Sequence, residues 1–166
     1  DALDREWQLA TIQCDFNLPE RFNLSFANER GEKERPVVIH RAISGSLERF
    51  MGIMIEHCAG ALPFWLSPIQ IAILPIGETH GAYAKELADT LRREDFRVEI
   101  KSDESLGKRI RKTKLGKIPY TFVIGDKEIE TKTVSVESRD QGKLGTSSTQ
   151  EILIRLRAER QVSSRI

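Results

Sequence analysis

The chain has 166 residues, of which 39% are hydrophobic and 31% charged, and a net charge of +1 at neutral pH. That composition fits a soluble, globular chain of one ordinary domain or two small ones, and it excludes a disordered or fibrous protein. A charge so close to zero excludes bulk attraction as grounds for nucleic-acid binding, which must rest on local clusters instead. The two cysteines, Cys14 and Cys58, form no Cys-x-x-Cys pair and read as partly buried thiols of a reduced intracellular chain. No apolar run reaches the roughly 18 residues of a membrane helix, and no signal peptide opens the chain. The sequence begins at Asp1 rather than methionine, and its first residues already read as strand, so it is expected to be cut from something longer.

Trp7 to Phe16 alternates, with Thr11, Gln13 and Asp15 on one face and Ala10, Ile12, Cys14 and Phe16 on the other, which predicts a strand. Asn28 to Glu34 is polar with one glycine and predicts a loop. Pro36 to Ile43 predicts a second strand, with proline at its tolerated first position. From Ser46 to Ala59 the apolar residues Leu47, Phe50, Met51, Met54, Ile55 and Cys58 make one helical stripe. Glu48 sits in the first turn, where the helix dipole favours a carboxylate, and Gly60 is placed to stop the helix.

Pro63 and Pro68 bracket an aromatic connector, Phe64-Trp65, and the expected domain boundary falls there, separating residues 1–66 from 67–166. Strands are then predicted at 69–76, 96–100, 120–124 and 131–137, and helices at 79–94, 106–115 and 148–159. This alternation implies an α/β layer with a mixed, largely parallel sheet. Gly125-Asp126 signals a turn between the last two strands, which should pair antiparallel. The polar tail after Glu159 is expected to fray.

The stretch Pro36-Val-Val-Ile-His40-Arg-Ala-Ile-Ser-Gly45-Ser-Leu-Glu-Arg49-Phe50 resembles motif 3 of the class II aminoacyl-tRNA synthetases, and His40 points to their threonyl branch. Trp7 to Phe16 resembles the strand that precedes motif 3 there. The Pro63–Pro68 connector, the α/β segment, Gly125-Asp-Lys-Glu128 and a turn at Lys143-Leu-Gly145 resemble the class IIa anticodon-binding domain. The resemblance implies the end of an antiparallel class II catalytic sheet with its motif 3 helix, followed by an α/β anticodon-binding domain. Motifs 1 and 2 and an editing region belong upstream and are not in this sequence.

The implied activity is ATP-dependent attachment of threonine to tRNA(Thr) through a threonyl-adenylate, with ATP carried by Mg2+. Cytoplasmic localisation, a homodimeric full-length enzyme and no membrane partner go with it. Arg49 would be the catalytic residue: a guanidinium stays charged and offers planar donors to phosphate oxygens as they reorganise. Its place in the first helical turn adds backbone N–H groups to the same positive end. Gln8, Thr11, Gln13 and Ser46 match positions lining the ATP and threonine pocket. Gln8 falls on the opposite strand face from Thr11 and Gln13, so a bulge would be needed to gather all three.

His40 matches the third zinc ligand of the threonyl enzymes. An apolar pocket separates threonine from valine poorly, because the two are nearly isosteric. Zinc that ligates the substrate amino and hydroxyl groups together rejects valine, and a catalytic zinc keeps such positions open. The other ligands, a cysteine and a histidine, lie upstream in the family. This chain alone is therefore expected to hold no stoichiometric zinc and to catalyse no aminoacylation. His57 and His80 match no ligand position.

For RNA, the cluster Lys108, Arg109, Arg111, Lys112, Lys114 and Lys117 offers phosphate contacts, which give affinity without sequence reading. The family's base-reading positions match Asp103, Arg111, Glu128 and Glu137. Asp103 stands where Asn is usual and can only accept hydrogen bonds. Glu137 stands where a base-clamping arginine is usual. Arg139, two residues on, would share a strand face with Glu137 and could take that part; otherwise the anticodon is read poorly or differently.

The alternative is a non-catalytic RNA-binding accessory protein with an anticodon-type domain, which the departures at Asp103 and Glu137 would suit. The presence of both His40 and Arg49 weighs against it. A prolyl, glycyl or histidyl enzyme of the same class is opposed by His40.

Overall fold

β1 (Thr11–Asp15) and β4 (Val38–Ala42) pair antiparallel, with Thr11 opposite Ala42, Gln13 opposite His40 and Asp15 opposite Val38. Directly opposed side chains project on one face, so Thr11, Gln13 and Asp15 share a surface with His40. The strand is shorter than the alternation of Trp7 to Phe16 predicts, because β4 supplies partners only for residues 11–15. Between the two strands lie a short helix, α1 (Asn17–Arg21), and a small hairpin of β2 (Phe26–Ala27) and β3 (Lys33–Glu34). The loop expected at 28–34 is present at 28–32 as the connection of that hairpin, and Lys33 and Glu34 are extended instead. α2 (Leu47–His57) follows β4, and Ala59, at φ 47°, turns the chain out of the helix.

The computed structural model describes residues 1–162, which form two units, one of Asp1–Ala59 and one that begins at Gly60. The first unit has little core. Pro19 is its only buried residue, and Ile12, Phe16, Ile39, Leu47, Met51 and Ile55 are exposed. The apolar stripe of α2 is therefore present but uncovered within its own unit.

The second unit is built on a five-stranded mixed sheet. Its strands are β5 (Ile71–Pro75), β6 (Val98–Ile100), β7 (Tyr120–Ile124), β8 (Thr133–Ser138) and β9 (Gly142–Ser148), in the order β6-β5-β7-β8-β9. β5 pairs parallel with β6 and β7, and the β7-β8 and β8-β9 pairs are antiparallel. β5 is buried along its whole length, as a run of Ile-Ala-Ile-Leu covered on both faces requires. One face packs Ile71, Ile73, Phe122 and Val136 against Leu87 and Leu91 of α3 (Gly81–Arg93) and Ile152 and Leu156 of α6 (Thr149–Val162). On the other face Ala72, Leu74 and Ile118 meet Leu106 and Ile110 of α4 (Leu106–Leu115).

Two local readings are corrected. Gly125-Asp126 does not form a tight turn but opens α5 (Asp126–Thr131), whose first backbone donor is held by Glu128. Lys143-Leu-Gly145 is not a turn but part of β9. The reversal lies at Arg139–Gln141, where the Ser138 hydroxyl accepts the N–H groups of Asp140 and Gln141. α6 runs on to Val162, past the point where fraying was expected. The rest of the polar tail lies outside the described residues.

Candidate functional site

The strand-to-helix corner of the first unit is fixed by close backbone contacts. Gly45 has φ 64°, and a Cβ there would lie 2.9 Å from the Leu9 carbonyl oxygen and 3.3 Å from Arg49 Nη2. Only glycine accepts both that dihedral and that approach. Ser46 then caps α2, receiving the Arg49 N–H at 3.4 Å and donating its hydroxyl to Glu48 Oε2 at 2.8 Å. The Glu48 carboxyl is held below its ordinary range by its own backbone N–H and then by Ser46. Arg49 reaches back from α2, its Nη2 donating to the Gln8 carbonyl at 3.3 Å.

Gln8 lies ahead of β1, where the chain is irregular, and its side-chain amide donates to Thr11 Oγ1 at 2.9 Å. The pair that strict alternation separates is thus joined without a bulge inside β1. Arg49, Gln8 and Thr11 form one connected group, and Gln13 and His40 adjoin it along the same strand pair.

His40 lines an open cavity of about 510 Å³ with Gln13, Cys14, Asp15, Phe16 and Asn17. Arg49 is not among the residues lining that cavity. The imidazole Nε2 stands 3.0 Å from Asp15 Oδ2. The other Asp15 oxygen accepts the backbone N–H groups of Asn17 and Leu18 at 2.9 and 3.0 Å. These bonds, that of Leu18 first and then that of His40, lower the Asp15 carboxyl below its usual value. Sequence reasoning placed Asp15 on this face but gave it no role.

Among the described residues no group of three or more His, Cys, Asp and Glu side chains gathers to hold a metal. His40 nevertheless fits the role of one ligand. It is half exposed in a cavity, and its Nδ1 has no hydrogen-bond partner among the described residues. His57, at the end of α2, is exposed, and His80 is buried in the second unit against Asp126 and the Gly77 N–H.

In the second unit the predicted basic cluster separates into distinct populations. Arg109 is a structural residue: it is buried, and its Nη1 donates to the carbonyls of Pro75 and Lys101, both at 2.7 Å. It ties α4 to the ends of β5 and β6 and is not available to a phosphate. Lys112 pairs with Glu104 at 2.7 Å, and Lys114 with Glu137 at 2.8 Å. Lys108 and Arg111 are exposed and unpaired among the described residues.

The base-reading candidates are dispersed too. Asp103 is exposed in the bend after β6. Glu128 Oε2 accepts the Gly125 N–H at 2.9 Å and closes the start of α5. Glu137, with Lys114, Thr121, Ser138 and Arg139, lines a cavity of about 270 Å³. β8 ends at Ser138, yet the Arg139 N–H still bonds the Pro119 carbonyl at 2.8 Å in register with the β7–β8 pairing, and Arg139 lines the same cavity as Glu137. Its guanidinium donates to the Leu62 and Lys117 carbonyls, each at 3.0 Å, and to Asp140.

Two family models match the chain. Residues 1–58 match the tRNA synthetase class II core domain (G, H, P, S and T), and residues 70–159, just over half the chain, match the anticodon binding domain. Core segment and appended domain together define a class II aminoacyl-tRNA synthetase. The chain is 49% identical over 152 residues to a threonine–tRNA ligase of Maridesulfovibrio salexigens, covering 91% of this chain and 24% of that protein. It is 46% identical over 160 residues to that of Caldanaerobacter subterraneus subsp. tengcongensis, covering 96% and 25%. The crystal structure of the RNA binding domain of threonyl-tRNA synthetase from Cryptosporidium parvum superposes with a TM-score of 0.87 at 39% identity, covering 96% of this chain and 41% of that one. The chain belongs to the threonyl-tRNA synthetase family and spans about a quarter of the length of the curated relatives it matches.

Proposed function

We propose that this chain is part of an enzyme that attaches threonine to tRNA(Thr) using ATP, and that it supplies one side of the active site and the anticodon-binding domain. The observation that carries this reading is the connected group Arg49–Gln8–Thr11, with Gln13 and His40 beside it on β1 and β4. In the first step the threonine carboxylate attacks the α-phosphate of Mg-ATP and pyrophosphate leaves. Arg49 meets the phosphate charge, and Gln8, Thr11, Gln13 and Ser46 orient ATP and threonine by hydrogen bonds. In the second step a tRNA hydroxyl attacks the threonyl carbonyl and AMP leaves.

His40 is the residue of this chain that would hold a zinc ion. The chemistry such an ion supplies is joint ligation of the threonine amino and hydroxyl groups, which valine cannot match. The uncovered stripe of α2 and the exposed Ile12 and Ile39 fit a segment that packs against the rest of a larger catalytic core. With motifs 1 and 2 and most of the zinc ligands absent from it, the 166-residue chain alone should not aminoacylate; the working enzyme is proposed to be a cytoplasmic homodimer.

In the second unit, exposed Lys108 and Arg111 are the cations proposed to meet tRNA phosphates. Threonine-dependent exchange of pyrophosphate into ATP tests the reading. The full-length protein should catalyse it with threonine and not with valine, and the isolated chain should not. Absence of exchange in the full-length protein would favour the accessory RNA-binding alternative.

A further inference from the structure

We infer that Asp15 is a positioning residue for His40: its carboxylate fixes the imidazole with the proton on Nε2 and leaves Nδ1 as the metal-ligating atom. The inference rests on the reading of His40 as a zinc ligand and adds to it a second residue and a chosen nitrogen. Three observations carry it.

Asp15 Oδ2 lies 3.0 Å from His40 Nε2. An ionised carboxylate can only accept, so Nε2 must carry the hydrogen of that bond. Asp15 is itself held by the backbone. Its Oδ1 is held by two backbone donors, the N–H groups of Asn17 and Leu18 that open α1. The acceptor presented to His40 is therefore anchored on a helix start rather than on a mobile side chain. Finally, Nδ1 has no hydrogen-bond partner among the described residues, although the ring lines a cavity of about 510 Å³. In a neutral imidazole protonated at Nε2, Nδ1 carries the free lone pair. A histidine bonded to a carboxylate through one nitrogen, with the other left open, is the arrangement that orients metal-ligating histidines and raises their basicity.

The structure also predicts what an amide does in this place. In Asp15→Asn the single side-chain oxygen is wanted by the Asn17 and Leu18 N–H groups, which turns the NH2 toward His40. A donor facing Nε2 favours the Nδ1–H tautomer and blocks the lone pair that the metal needs. Asp15→Ser keeps an oxygen to cap α1 and removes the acceptor at His40 altogether.

The experiment uses the full-length synthetase with zinc alone as the probe, removed and returned in competition with a chelator. Cobalt(II) substitution gives a second readout through its visible ligand-field bands. Asp15→Asn and Asp15→Ser should each bind zinc about 10- to 100-fold more weakly and shift those bands, and His40→Ala should lose the ion. A merely structural Asp15 would move the unfolding temperature but neither the zinc affinity of the folded protein nor the cobalt spectrum. If His40→Ala loses zinc while both Asp15 variants bind it within twofold of the parent, the inference about Asp15 is overturned and the ligand reading stands. If His40→Ala retains zinc with unchanged affinity, the ligand reading falls and takes the inference with it.

Discussion

Arg49, in the first turn of α2, donates from Nη2 to the backbone carbonyl of Gln8 at 3.3 Å, across 41 positions of sequence. The contact exists because Gly45 lets the corner close. The Leu9 carbonyl and the Arg49 guanidinium both occupy the space a side chain at 45 would fill. Gly45→Ala should therefore strain the left-handed residue by about 1–2 kcal/mol and push Leu9 and Arg49 apart. Steady-state kinetics of the full-length enzyme should show a larger loss in kcat/KM than the stability change explains. Unchanged kinetics would mean that the corner does not position Arg49.

Arg109 and Arg111 stand two residues apart on α4 and should behave oppositely. Arg109→Met leaves the Pro75 and Lys101 carbonyls without their donor and should cost about 3 kcal/mol in chemical denaturation. Arg111→Ala should change stability by less than about 0.5 kcal/mol. It should weaken tRNA binding and lower the salt slope of that binding by about one. The reverse pattern would return Arg109 to the RNA surface.

Glu137 neutralises Lys114 at 2.8 Å on the face where a cation is expected to meet RNA. Glu137→Gln should release Lys114 and steepen the salt dependence of tRNA binding by up to about one unit. Arg139→Ala should instead lower the stability of the second unit, because it unties the Leu62 and Lys117 carbonyls. With binding measured on the folded fraction, that variant should match its parent. A loss of affinity there would make Arg139 the RNA contact.

Tyr120 donates its hydroxyl to Glu159 Oε2 at 2.5 Å, and burial followed by that carboxylate pushes the phenol well above its ordinary value. The folded state thus holds this proton more tightly than the unfolded chain. The stability it contributes is complete below the unfolded value of about 10 and is lost as pH rises beyond it toward the folded value. Denaturation midpoints should fall above about pH 10 in the parent and fall less steeply in Tyr120→Phe.

Most of the second unit was legible from periodicity. The buried run of β5, the amphipathic α3 and α4 and the alternation of β8 each carry a local pattern that tertiary packing keeps. α5 was not legible, because Gly125-Asp126 suits a tight turn equally well until Glu128 reaches back to the Gly125 N–H. β9 was missed because Gly142-Lys-Leu-Gly145 has turn composition, and only pairing with β8 makes it extended. At the site, the resemblance singled out Gln8, Thr11, Gln13, His40, Ser46 and Arg49. Alternation then put Gln8 on the wrong face, since the strand had not yet begun at that residue. The fates of Arg109 and Arg139 could not be read in one dimension. Both are cations whose partners are distant backbone carbonyls, which leave no trace in side-chain pattern.

The assignment of Arg49 to the phosphates of ATP is tested most directly by threonine-dependent ATP–pyrophosphate exchange in the full-length enzyme carrying Arg49→Ala. Loss of a guanidinium that meets charge developing in the transition state predicts a fall of about 100- to 1,000-fold, with tRNA affinity unchanged. Exchange within about threefold of the parent enzyme would contradict it.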